Sequence, residues 1–153
     1  MKTILLSVFF ICISFTAQLF AADGVTTLKS KYNVPHTVDR LKAIITKKGM
    51  NVFADIDHGK AANKNGIELL PTELIIFGNP KIGSPIMACK RSMALDFPQK
   101  MLVWKDRAGQ VWLSYNDPFY LADRHQLPEH CRGKLKKIAA VLNKFAKSAG
   151  GMD

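Results

Sequence analysis

Acidic residues are scarce in this chain of 153 residues: 12 Asp and Glu stand against 22 Lys and Arg, a formal net charge of +10. That imbalance points to anionic partners, namely small anions, acidic proteins, anionic membrane or nucleic acid. The basic residues are spread along the chain without the arginine-and-aromatic pattern of nucleic-acid readers, so nucleic acid is not expected as a partner. Long apolar runs are also missing. The dominantly apolar stretch at residues 4–15 has about 12 residues, short of the roughly 20 that a membrane span needs. There is no internal repeat and no low-complexity segment. No Gly-x-Ser-x-Gly elbow surrounds Ser84 or Ser114, which speaks against a serine hydrolase. Cysteines number three, and no two residues show a strong metal-ligand spacing.

What the N-terminus does have is a secretory layout. Met1-Lys2-Thr3 supplies one positive charge, the apolar run follows, and Ala21 and Ala22 are small enough for cleavage. Residues 1–21 are expected to be a signal peptide and residues 22–153 one domain, exported to the periplasm. An uncleaved anchor is the alternative; with no Cys beside the cut, a lipid anchor is not expected. Cleavage takes only Lys2 from the basic set and leaves no stable membrane span. It also removes Cys12, so that Cys89 and Cys131 remain as an even pair in an oxidising compartment. They form a disulfide, stand as two thiols, or join a metal site.

The β-branched stretch 25–32 reads as a first strand. Thr37 is placed to cap a helix on which Val38, Leu41, Ile44 and Ile45 make one apolar stripe, with Gly49 as its left-handed stop. In residues 51–58, alternation puts Val52, Ala54, Ile56 and His58 on one face and Phe53, Asp55 and Asp57 on the other. A polar loop or short irregular helix leads to Gly66. Residues 72–77 are a near-continuous apolar run, a central strand buried on both faces. Gly78-Asn79-Pro80 breaks it. Ser84-Pro85 then reads as the start of a short helix to about Arg91, followed by a loop at 93–98. The hairpin 100–105 and 110–115 turns at Asp106-Arg107-Ala108-Gly109, and Trp104 and Trp112 are read as packing residues. Asn116 or Asp117 caps a short helix to Arg124. A last helix covers 128–149, with Leu135, Ile138, Ala139, Leu142 and Phe145 inward and a solvated lysine face outward. The pattern fits an α+β fold: an antiparallel sheet with two main helices packed on one face, plus extra short helices.

Two blocks carry a resemblance. One is Leu70-Pro71-Thr72-Glu73-Leu74-Ile75-Ile76-Phe77-Gly78-Asn79-Pro80-Lys81-Ile82-Gly83-Ser84-Pro85-Ile86-Met87. The other runs from Leu102 through Trp112, Tyr115-Asn116-Asp117-Pro118 and Leu121-Ala122 to Arg124-His125. With Asp57-His58 they resemble the domain-of-unknown-function 302 family over residues 24–125. The resemblance implies a β-α-β4-α order, a fold similar to that of the TATA-binding protein without its DNA binding, and a homodimer. It implies no activity. The chain departs from the family pattern with Ser84 where Thr is commoner and with Cys89 just past Met87. A second copy has its own motive, because a sheet covered on one side leaves its other face open.

The residues themselves nominate His58, Asn79, Tyr115, Asn116, Asp117 and His125 as a ligand-binding cluster at strand ends, where a rigid sheet lets polar groups converge. Strand direction brings Asn79 together with Asn116-Asp117, with His58 on the opposite edge of a meander unless a loop or a second subunit returns it. Backbone N–H groups at a helix opening at Ser84 would add an anion site. A second, metal-like set is His36, Met87, Cys89, His125, His130 and Cys131, whose donors suit copper or zinc. With no nucleophile, metal or cofactor motif, the expected function is a small exported binding or accessory module, not catalytic by itself and without a cofactor, taking a small anionic ligand or an acidic protein partner. One alternative is an enzyme with His58 as acid or base and Asn79, Tyr115 and Asp117 in the site. Another is a periplasmic metal or thiol-redox protein using Cys89 and Cys131.

Overall fold

The structure is a computed structural model that describes residues 24–152. The expected signal segment 1–21 lies outside the described residues. The order is β1 (Val25–Ser30), α1 (Val34–Lys47), β2 (Asn51–Asp57), α2 (His58–Lys64), β3 (Thr72–Gly78), α3 (Pro80–Cys89), β4 (Gln99–Lys105), β5 (Val111–Asn116), α4 (Pro118–Arg124) and α5 (Leu135–Gly150), with 3-10 turns at Arg91–Leu95 and Glu129–Lys134. The five strands form one sheet in the order β1-β5-β4-β3-β2, antiparallel throughout.

The long helices cover one face of it. Val38, Leu41 and Ile45 of α1 and Leu142 and Phe145 of α5 bury against Ile75, Phe77, Met101, Val103 and Leu113. Each such side chain contributes about 1.5–3 kcal/mol by leaving water. Arg40 ties the two helices, donating to the carbonyls of Ser148 and Ala149 at 2.6 and 3.1 Å. A second apolar cluster, built on Ile86, Met93, Phe97, Leu121, Leu127 and Leu135, joins the short helices to the start of α5. The expected α+β fold with its two main helices on one face is the observed one.

Local expectations were corrected in four places. Helix α1 is capped by Asn33, whose side chain accepts from the His36 N–H at 2.9 Å. Thr37 is instead buried, and its hydroxyl bonds the Asn33 carbonyl and the Ser30 hydroxyl. Helix α3 opens at Asn79-Pro80, and Ser84 and Pro85 lie inside it. Both Asn-Pro and Ser-Pro are legal helix openings, and the chain uses the earlier one, leaving Pro85 inside the helix without the N–H that would bond the Lys81 carbonyl. The last helix divides into the 3-10 turn Glu129–Lys134 and α5. Finally, β2 carries a bulge between Val52 and Ala54. One extra residue reverses the alternation beyond it. Val52 therefore faces the helices with Phe77, whereas Ala54 and Ile56 lie on the opposite face with Ile76 and Leu74.

Candidate functional site

The sheet topology sorts the nominated polar residues between its two ends. Strands β3 and β5 run the same way with β4 between them, so Asn79 and Asn116-Asp117 reach one edge. Strand β2 runs against β3, which places His58 at the other edge, where it is exposed as the first residue of α2. It does not continue an apolar strand face. The side chain of Asn79 accepts from the Lys81 N–H at 2.9 Å and donates to the Gly49 carbonyl at 3.3 Å. Asp117 caps α4, accepting from the N–H groups of Phe119 and Tyr120 at 2.7 and 3.1 Å. Asn116 pairs with Val25 at the end of the β1 ladder. Tyr115 points into the core, its hydroxyl 3.5 Å from Asn143.

His125 is buried at the edge of the second cluster and fully engaged. Its Nε2 stands 2.6 Å from Asp96 Oδ2 and its Nδ1 3.1 Å from Ser92 Oγ. Arg124 adds a longer contact to Asp96, at 3.4 Å. An imidazole held between a carboxylate and a hydroxyl is satisfied and fixed in orientation. Asp96 and Ser92 sit in a stretch read as loop, and no spacing in the sequence announces them.

At the edge that holds His58, sequence reasoning found Asp55 and Asp57 but not their partner. Because of the bulge, Asp55 and Asp57 face the helix layer, beside Glu73 of β3. Lys42 of α1 donates to Asp55 at 2.7 Å. Burial, the proton-sharing contact with Asp55 and the charges of Asp55 and Asp57 push Glu73 up to about 7. Burial acts on Asp55 in the same direction, but the hydrogen bonds from Lys42 and Glu73 outweigh it and hold that carboxyl below its ordinary value. The pair thus splits its proton affinities as two adjacent carboxyls must. Asp57 and Glu73 line a shallow groove of about 650 Å³ with Lys60, Lys64 and Pro35. The signal available in sequence was a lone acid inside an otherwise apolar strand.

The metal-like set is only partly assembled. Cys89 and Cys131 are joined as a disulfide, with His130 beside it. His36 packs against Tyr32 with the rings tilted and their centroids 4.5 Å apart, and His125 belongs to Asp96 and Ser92.

A further apolar feature outside the two cores is the second face of the sheet. Register places Ile56, Leu74, Ile76, Leu102, Trp104 and Trp112 there, and none joins either buried cluster. Trp104 and Trp112 stack with centroids 6.3 Å apart, and Trp104 donates from Nε1 to Ser114 at 2.9 Å. In the segment between α2 and β3, the apolar side chains of Ile67, Leu69 and Leu70 are also exposed. Strand β3 is therefore buried on its helix face only, not on both.

Comparison with known proteins agrees with this architecture. Two curated relatives, both named fluoride-specific ion channel FluC 1, come from Brucella suis biovar 1 (strain 1330) and Brucella abortus biovar 1 (strain 9-941). Each is 42% identical over 129 residues, 84% of this chain. The match covers 51% and 48% of those proteins, so the chain spans about half the length of the curated relatives it matches. Among the described residues no helix is long and apolar enough to cross a membrane. A crystal structure of an uncharacterized conserved protein DUF302 from Bacillus stearothermophilus superposes with a TM-score of 0.68 at 18% identity, covering 86% of this chain and 98% of that one. The family model "Domain of unknown function DUF302" matches residues 26–145, and the chain belongs to that family.

Proposed function

We propose that this chain is an exported accessory module that binds rather than catalyses, and that it works as a homodimer through the open face of its sheet. The observation that carries the reading is that face: a contiguous apolar surface centred on Leu74, Ile76, Leu102 and Trp104, outside both cores. A surface of this kind marks an interaction site in a soluble domain. Its charged members are Lys29, on the edge strand and over Trp112 at 5.5 Å, and Lys100, opposite Ile76, whose ammonium is drawn off to the carbonyls of Asp96 and Pro98. The basic surplus suits a small anionic ligand or an acidic protein partner. The curated relatives carry the reading further, toward a module that serves a membrane protein handling a small anion. The signal-like N-terminus supports export to the periplasm.

Sedimentation of the purified chain at micromolar concentration tests the interface. A dimer is expected, and Ile76→Glu with Leu102→Glu should convert it to a folded monomer; a wild-type chain that sediments as a monomer overturns the proposal. Thermal shifts with fluoride and other small anions, measured beside a screen for turnover of metabolite pools, test the second part. Turnover by the purified chain would sink the non-catalytic reading.

One observation favours a second reading, an enzyme. Glu73 titrates near neutrality beside a groove, which suits a general acid or base. In that reading the proton-transfer role passes from His58, on the far edge from Asn79, to Glu73. Turnover that follows the ionisation of Glu73 and disappears in Glu73→Gln would decide for it.

A further inference from the structure

One cluster gathers chemistry that neither the docking face nor the carboxyl pair uses. Cys89, the last residue of α3, and Cys131, in the 3-10 turn before α5, are joined with Cα atoms 6.5 Å apart. The Nε2 atom of His130 stands 3.8 Å from Cys89 Sγ. One ring nitrogen of His130 and both sulfurs lie within 4.8 Å of one another. His130 is exposed and the two cysteines are half-buried, so a reductant and an ion both have a way in from solvent.

We propose that this cluster is a redox-gated metal site: a disulfide in the oxidised chain, and in the reduced chain a site of two thiolates and one imidazole for a closed-shell thiophilic cation, Zn²⁺ or Cu⁺. The opening step is thiol–disulfide exchange. A dithiol gives two electrons and two protons to the Cys89–Cys131 bond; the S–S bond breaks, two thiols form, and the dithiol leaves as its own disulfide. A Zn²⁺ ion then displaces both thiol protons, forming two Zn–S bonds and one Zn–N bond to His130 and releasing two H⁺. Cu⁺ follows the same exchange of protons for metal, with one less positive charge at the site.

The geometry is close to what such an ion needs. Zn–S bonds of about 2.3 Å and Zn–N bonds of about 2.0 Å put tetrahedral ligand atoms roughly 3.5–3.8 Å apart. The imidazole nitrogen stands 3.8 Å from Cys89 Sγ and within 4.8 Å of Cys131 Sγ, near that range, and the two bonded sulfurs must part to reach it. Two thiolates neutralise a divalent ion. Three protein donors leave the fourth position open. His125 does not compete, because both of its ring nitrogens are engaged.

The test uses the full chain, oxidised and after reduction with excess dithiol and anaerobic desalting. Zn²⁺ and Cu⁺ are each titrated against a chromogenic chelator. Co²⁺ serves as a stand-in whose thiolate charge-transfer band reports sulfur ligation. The expected result is one ion per reduced chain, none per oxidised chain, and the charge-transfer band only after reduction. His130→Ala should weaken binding by at least about tenfold, the scale on which even outer partners of metal ligands act. Cys89→Ser with Cys131→Ser should abolish it. Circular dichroism runs alongside: a reduced chain that unfolds and is refolded by Zn²⁺ or Cu⁺ supports the site. The proposal is overturned by a reduced chain that binds no more ion than the double-serine variant, by an affinity that His130→Ala leaves unchanged, or by a reduced chain that unfolds and stays unfolded when the ion is added. The interface proposed above lies on the open face of the sheet, so loss of metal binding and loss of dimerisation are separate outcomes.

Discussion

Asp55 of β2 and Glu73 of β3 share the helix-covered side of neighbouring strands, two residues out of register, and Lys42 reaches Asp55 from α1 at 2.7 Å. The native chain therefore holds a proton on Glu73 that the unfolded chain releases. A carboxyl raised from 4.5 to about 7 makes stability fall as pH rises between those values. Glu73→Gln removes the titration. Its melting temperature should match wild type near pH 4.5 and exceed it at pH 8, by a gain of about 1 kcal/mol once solvent screening of a half-buried group is allowed for. A variant that gains nothing at pH 8 contradicts the shift.

Asp55 carries the opposite sign. Its folded carboxyl is depressed, so its contribution is present above the ordinary value of 3.8 and is lost as pH falls through the lower folded value. Lys42→Met removes a donor and should bring acid unfolding to higher pH, as followed by far-ultraviolet circular dichroism.

The disulfide spans a sequence separation of 42 residues. Constraining a loop of that size in the unfolded chain contributes about 4 kcal/mol in the chain-entropy account. Cys89→Ala with Cys131→Ala should lower the urea midpoint accordingly, and dithiol treatment of the wild type in the absence of metal should reproduce the loss.

His125 is among the few polar side chains buried with the apolar ones. Asp96→Ala takes away its 2.6 Å partner and should cost about 1–3 kcal/mol, the penalty for leaving a buried polar group unpaired. Asp96→Asn keeps an acceptor and should recover part of that loss in the same denaturation series.

On the open face, Ser114 holds the indole of Trp104 at 2.9 Å and the hydroxyl of Thr27 at the same distance. Ser114→Ala should cost about 1 kcal/mol and shift tryptophan emission. In a dimer the shift should be smaller than in a monomer made by Leu102→Glu, because the partner would shield the ring.

Periodicity made most of this architecture legible. The stripe of Val38, Leu41 and Ile45 and the run Leu142 to Phe145 stand where helices pack on a sheet, and the hairpin turns at Gly109 with φ at +86°. Competing local signals hid the rest. Asn33 and Thr37 can both cap a helix, and so can Asn79 and Ser84; only packing chooses between them. A bulge has no reliable mark in a single sequence, yet Phe53 reverses the sides assigned to Ala54, Asp55, Ile56 and Asp57. Asp55 and Glu73 thus looked like unrelated acids. Asn79 and Asp117 carry ordinary capping bonds in the described structure, so their part in a shared ligand site rests on the sheet edge they occupy.

The Cys89–Cys131 tie also makes the intervening chain, with β4, β5 and α4, a covalent ring. One peptide-bond cut at the exposed turn Arg107-Ala108-Gly109 therefore opens the ring without parting the molecule. The two fragments would travel as one species under oxidising conditions and as two once the sulfur link is reduced, so mass alone reports whether the link is closed.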